Sequence, residues 1–427
     1  MSSGIFIFIS QEEEWFLLKM KKFFLTGLAV SALFFTACSD DDDNTPDNND
    51  DGVVTEIYDT NGNWTEETLS FFMDNATMNA NATGANEDAF AWTVSEGGTT
   101  LNTDMTGAAS IPNNITEDLT LTEAKYEISG AVFVRSGATL TIPAGTWFYS
   151  DPTNNADNAN SSEDVLIIEQ GATLVAEGTE SNPIVFTSTV EQSGSWGGIV
   201  LLGNAPINQA GGTAVSEVSD DAGEDLTYGG SDSADSSGSL EYVILAYPGT
   251  QINSDSEYNG FSFYGLGTGT TLENLEVYQG QDDGFEWYGG TVNATNLYSN
   301  AYDDSFDWTD GWNGTVNNIV ANQPEGADFC IEADNLSDDH NATPRSNPTI
   351  TNATFYSDGS SDSAILLRRG TSIQLTNARF VIENTNVIPN INIDDVTTAE
   401  LLLSGDTTLE ELNFDAENPE FGGNANL

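Results

Sequence analysis

The sequence predicts an all-β solenoid, a parallel β-helix, and three observations carry that prediction. The stretch "GQDDGFEWYGG" (280–290) returns as "AYDDSFDWTDG" (301–311). Asp282-Asp283 then lie over Asp303-Asp304, Phe285 over Phe306 and Trp287 over Trp308, each pair 21 positions apart. Segments of the form apolar–x–Asn/Ala–x–x–apolar recur at 272–277, 292–297, 316–321, 350–355 and 375–380. No helical period separates them, and β-rich repeats of this length build a stacked coil rather than a helical or leucine-rich array. A WD-type propeller is the rival, but its blades need about 40–45 residues each.

Taken in order, the chain opens with two segments that concern address. Residues 1–37 read as an upstream extension and a lipoprotein signal peptide. Glu12-Glu13-Glu14 suit a start at Met20 better than at Met1. From Met20 two lysines precede a short apolar run and then Thr36-Ala37-Cys38, an export signal too short to span a bilayer. Small residues before Cys38 resemble the lipobox of bacterial lipoproteins, with Phe35 a departure at the usual Leu position. By that resemblance Cys38 carries the lipid and the membrane is a partner through it. Residues 38–55, with "SDDDDNTPDNNDD", form an acidic, self-repelling tether. Ser and acids just after the cysteine resemble the surface-export signal of Bacteroidetes lipoproteins. The resemblance implies an outer-membrane lipoprotein of a Gram-negative bacterium, displayed outward.

Residues 56–110 are expected to form an N-terminal cap or strap with one short helix within 65–80. The solenoid is expected over 111–390 and a C-terminal cap over 391–427. "GATL" at 137–140 recurs at 171–174, which starts the coils. The Gly-, Ser- and Asp-rich stretch 204–239 interrupts the rhythm and reads as a long loop on the working face. Stacking places Phe285, Phe306 and Phe329 in an internal column, with Trp287 and Trp308 beside them. It also places Asn274, Asn318, Asn352 and Asn377 in an amide ladder. On the same parity Cys330 falls in the outward column of Glu286 and Asp307. With Cys38 lipidated, Cys330 has no disulfide partner.

The blocks "AEGTESNPIVFTS", "GSWGGIVLLGNAPIN", "GGSDSADSSGSLEYVILAY" and "DDGFEWYGGTVNATNLYS" resemble signatures of a family of Bacteroidetes secreted lipoproteins. The likeness covers about 111–382. It implies a right-handed parallel β-helix similar to that of pectin lyases, and it carries no activity with it.

Acids outnumber bases 68 to 9, a formal charge of −59, which excludes nucleic-acid binding. A monomer is expected. Stacked acids about 5 Å apart repel by roughly 0.8 kcal/mol in water and about 3 kcal/mol at an effective dielectric of 20. They must be hydrated, protonated or bridged by a cation. Asp282, Asp283, Asp303, Asp304, Asp307 and Asp310 are therefore candidate ligands for calcium, which takes six to eight oxygens in flexible geometry. Hydrated acidic turns are the plain alternative.

Catalysis is the third reading. Asp282, Asp283, Asp303 and Asp304 resemble the paired aspartates of β-helical polygalacturonases, which act as acid and base. That family also uses a Gly-His-Gly segment, and the single histidine, His340, sits in "DDHNATP" as a surface-loop residue. A lyase would need a cationic base near calcium. The expected function is a non-catalytic binding or adhesion module for glycan or divalent cations, with a polysaccharide hydrolase or lyase as the alternative. Tyr288, Tyr302 and Trp312 are candidates for stacking on sugar. Arg368 and Arg369 are candidates for a carboxylate clamp, or for ion pairs with acids on adjacent coils.

Overall fold

The computed structural model describes residues 57–155, 163–253, 256–359, 363–382, 390–414 and 421–425. The chain divides into Met1–Val53 and Val54–Leu427, and everything below refers to the second unit. The signal, Cys38 and the tether lie outside the described residues.

Each turn of the chain contributes three strands, as in Val165–Ile168, Thr173–Glu177 and Ile184–Ser188. Every one of them pairs in parallel with its counterpart a coil away. Among the described residues this yields a 15-stranded and an 11-stranded sheet, the sides of a right-handed parallel β-helix. In later coils two sides fuse into one long strand, in Thr271–Gly280, Ala294–Ala301, Thr315–Asn322, Thr349–Ser357 and Gln374–Ile382. Each long strand bends at one asparagine in the left-handed region: Asn274, Asn296, Asn318, Asn352 and Asn377, with φ between 57° and 66°. Asparagine tolerates that conformation better than other side chains with a Cβ.

The amide ladder runs through these bends. Asn296 donates to Asn274 at 2.8 Å, Asn318 to Asn296 at 2.7 Å and Asn377 to Asn352 at 2.6 Å. Asn352 donates instead to Asn317. Asn296 joins the ladder because Ala294, not Val292, faces Val316.

The bore is filled as the repeat implied. Phe261, Phe285 and Phe306 stack at 5.2 and 5.6 Å, and Trp287 is in register with Trp308. The next member is Ile331 rather than Phe329, because the following coil is longer. The same slip removes Cys330 from the outward column: Glu332 pairs with Asp307, and Cys330 is wholly buried against Gln323.

The solenoid does not stop at residue 390. Ile391–Asp394, Thr408–Phe414 and Phe421–Asn424 add further rungs, with the helix Val396–Ser404 between the first two. Apolar residues such as Ile391, Ile393, Leu409 and Leu412 continue the inward columns, so the expected cap is largely more coil.

The N-terminal segment begins at this far end. Helix Glu66–Asn75, capped by Thr65, contacts helix Val396–Ser404, and Trp64 Nε1 donates to the Ile393 carbonyl at 2.7 Å. Strand Ala76–Met78 then pairs with Thr408–Phe414. From there the chain runs back over the outer face of the long sheet as a strap. Thr83 and Gly84 donate to Asn377, Ala85 to Thr354 and Asn86 to Asn318. Val94 and Ser95 donate to Glu276. Gly84, at φ 72°, allows the close approach: a Cβ there would meet Thr354 Oγ1 at 2.4 Å.

The loop at 204–239 folds back over the outward face of the short-strand sheet. It carries the hairpin Ala214–Val215/Thr227–Tyr228. Its Ile207, Val218, Leu226 and Tyr228 bury Val200, Leu202, Tyr264 and Tyr288 in a second apolar cluster outside the bore.

Candidate functional site

The outward column of the short-strand sheet changes chemistry along the axis. Register links Val200 to Ser262, Glu286, Asp307, Glu332, Leu366 and Asn392 in succession. Three consecutive rungs thus present a carboxylate. The turns that feed these strands add Asp282, Asp283, Asp303, Asp304 and Asp328. Together they form a ribbon of four overlapping groups, each with its carboxylate oxygens within 4.8 Å of one another. The groups are Asp282-Asp283-Asp303, Asp283-Glu286-Asp307, Asp303-Asp304-Asp328 and Asp304-Asp307-Glu332. The third repeats the first one coil on, and the fourth repeats the second.

Local structure explains why the acids come so close. Asp283 Oδ1 accepts the Asp304 backbone N–H at 3.0 Å, and Asp304 Oδ1 accepts that of Phe329 at 2.7 Å. Each aspartate therefore closes the turn of the coil below it. Gly284 lets the turns stack, since a Cβ there would meet Ser299 Oγ at 2.2 Å. Asp282 and Asp303, half-buried, face each other one coil apart with carboxylate oxygens within 4.8 Å.

Burial dominates the electrostatics. It holds Asp283, Asp304, Glu286 and Asp307 well above the usual carboxylate range, and neighbouring carboxylates push the same way. Burial and Asp303 raise Asp282 to about 9. Glu332 rises to about 7 by burial, with Arg368 pulling it back. Fully charged, the ribbon needs positive charge brought to it. Two cations reach its lower end: Arg368 pairs with Glu332 and, at 2.7 Å, with Asp334, and Arg369 pairs with Asp334.

Several candidates stand elsewhere. Asp310 is outside the ribbon and holds the 204–239 loop, accepting from Tyr228 at 2.6 Å and Gln209 at 2.8 Å. Trp312, taken from the sequence as a free ring, is buried in the bore and stacked on Trp287 at 4.4 Å. Its spacing after Trp308 hid this, because Gly311 at φ 85° turns the chain inward. Tyr288 is covered by the loop, and its hydroxyl is hydrogen-bonded between Glu217 and Glu286. Tyr302 alone of the three rings is exposed, at 41 %, next to Asp303. Arg368 and Arg369 are committed to acids of the adjacent coil. His340 lies 3.5 Å from Asp395, the residue that caps helix Val396–Ser404.

Glu286, Glu332 and Asp328 are the ribbon members that sequence reasoning missed as ligands. The alternation of Glu286 with Trp287 was a sufficient signal for the first. The other two needed the correct register across the longer coil.

A family model described as a pectate-lyase like beta helix domain matches residues 113–426. No curated protein and no solved structure matches the chain.

Proposed function

The chain belongs to the pectate-lyase-like β-helix domain family, and from that premise we propose that it is a non-catalytic binding module whose carboxylate ribbon takes divalent cations, calcium first. In this reading it is displayed on the cell surface by a lipid on Cys38, and bound cations bridge it to glycan. The supporting observation is the ribbon itself: carboxylates within 4.8 Å of one another on successive coils, with Asp283, Glu286 and Asp304 buried and most of the others half-buried. Like charges at such distances are unstable unless they are protonated or share a cation. Calcium suits an oxygen-only set of uneven geometry better than magnesium, which demands a near-octahedral shell. Asp283, Asp303, Asp304 and Asp307 each belong to two of the groups, so each would help to hold a cation in either.

Hydrolysis by paired aspartates fits less well. Inverting chemistry needs carboxyls roughly 6.5–9.5 Å apart with room for water between them. Here Asp283 and Asp304 are occupied by backbone N–H groups, and the carboxylate oxygens of Asp282 and Asp303 lie within 4.8 Å, closer than that spacing.

Calorimetric titration of the metal-free protein with calcium chloride tests the reading. Saturable binding is expected, weakened at least tenfold by Asp303→Asn or Asp307→Asn. Absence of saturable heat at millimolar calcium sinks it. The anchor is tested separately, by fatty-acid labelling that Cys38→Ala should abolish.

A further inference from the structure

Among the described residues, Glu276 is the one carboxylate of the sheet that holds the strap by both its oxygens. It sits on the outward face of Thr271–Gly280, in a column with Ile244 on one side and Tyr298 on the other. The strap covers it so fully that none of it is exposed. Val94 N–H donates to Oε2 at 2.7 Å and Ser95 N–H to Oε1 at 2.8 Å. Trp92, on the same stretch of strap, packs against Val185 and Ile244 and meets Tyr242 edge-on at 5.2 Å. Phe90 does the same on Tyr298 at 5.4 Å. Lifting this part of the strap would therefore return a carboxylate and several rings to water.

Among the described residues, the titratable groups that bear on Glu276 are an acid and tyrosines. From the strap comes Glu96, which accepts a hydrogen bond from Tyr298 at 3.0 Å. From its own strand comes Tyr278, and from the flanking strand comes Tyr298.

We propose that the strap closes over the sheet with uptake of a proton at Glu276, so that this segment is a proton-coupled latch. Burial works against the charged form more than the two N–H donors favour it. Burial first, opposed by those donors, raises the Glu276 carboxyl from its ordinary 4.5 to about 7. An acid held more tightly by its proton in the closed state favours closure most below its free value. That contribution is lost as pH rises through the closed-state value. Opening therefore increases across this window and levels off above it. The inference is independent of cations in the ribbon.

Amide hydrogen exchange of the whole protein, corrected for intrinsic rates, reads the opening of Val94 and Ser95 directly. Their opening constant should rise roughly tenfold per pH unit between about pH 5 and pH 7, then flatten. The Leu245 amide in the core serves as reference and should not follow. Glu276→Gln should make the strap amides insensitive to pH. Should that variant not fold, Glu96→Gln at the exposed neighbour should move the rise to lower pH. Opening that is flat in the native chain, or that keeps its rise in Glu276→Gln, overturns the proposal. So does an unmoved rise in Glu96→Gln.

Discussion

Asp304 combines two roles, and substitutions separate them. Its Oδ1 satisfies the Phe329 N–H, while the carboxylate as a whole adds charge to a buried acidic group. Asp304→Ala leaves a buried donor unpaired and should cost about 1–3 kcal/mol in urea unfolding. Asp304→Asn keeps an acceptor and removes the charge, so without cations it should be neutral or stabilising while weakening calcium binding. If both variants lose equal stability, the aspartate is not acting as a turn acceptor. The acids also set a pH dependence. Because the folded chain holds Asp282 near 9 instead of 3.8, folding takes up protons. In EDTA that stabilisation is fully present below the ordinary value and is lost as pH rises toward about 9. Urea midpoints across that range should fall, and a rise would contradict the assignment. Inside the bore, Trp287→Ala should cost about 3–5 kcal/mol, since its ring is stacked on Trp312 and fully buried.

At the scale of elements, the 204–239 loop is a cover rather than a free excursion. Tyr228, Tyr264 and Tyr258 anchor it through Asp310, Glu217 and Asp221. Replacing 205–236 by a short Gly/Ser linker should expose Val200, Leu202 and Tyr264 and produce binding of an apolar dye; absence of such binding would mean another segment covers them. Strand stacking was legible in the sequence because one coil of 21 residues repeats Phe, Trp and acid at fixed parity, and the register of Phe285 with Phe306 follows directly. The longer next coil broke that arithmetic, which is why Phe329 and Cys330 were misplaced and Glu332 overlooked. The loop's role was not legible. Its apolar residues, Ile207, Val218 and Leu226, are scattered among Gly, Ser and Asp with no period. Only tertiary packing shows that they bury the upper end of the acidic column.

On the whole-molecule scale, a solenoid held only by neighbouring rungs would unfold piecemeal, since each coil touches the next and no other. Here the N-terminal segment docks on the last coils and then crosses successive rungs from Asn377 to Glu276. It should make unfolding a single transition, with matching midpoints by circular dichroism and tryptophan fluorescence. The ribbon lies across several of the same coils, so its charge acts on the stability of the body it decorates. The most direct measurement is the thermal midpoint of the protein in calcium against excess EDTA at fixed ionic strength. Calcium at 100 times its dissociation constant should add about 2.7 kcal/mol, and Asp307→Asn should remove most of that gain. Equal midpoints in calcium and EDTA would contradict a cation site and leave the ribbon as protonated, structural acid.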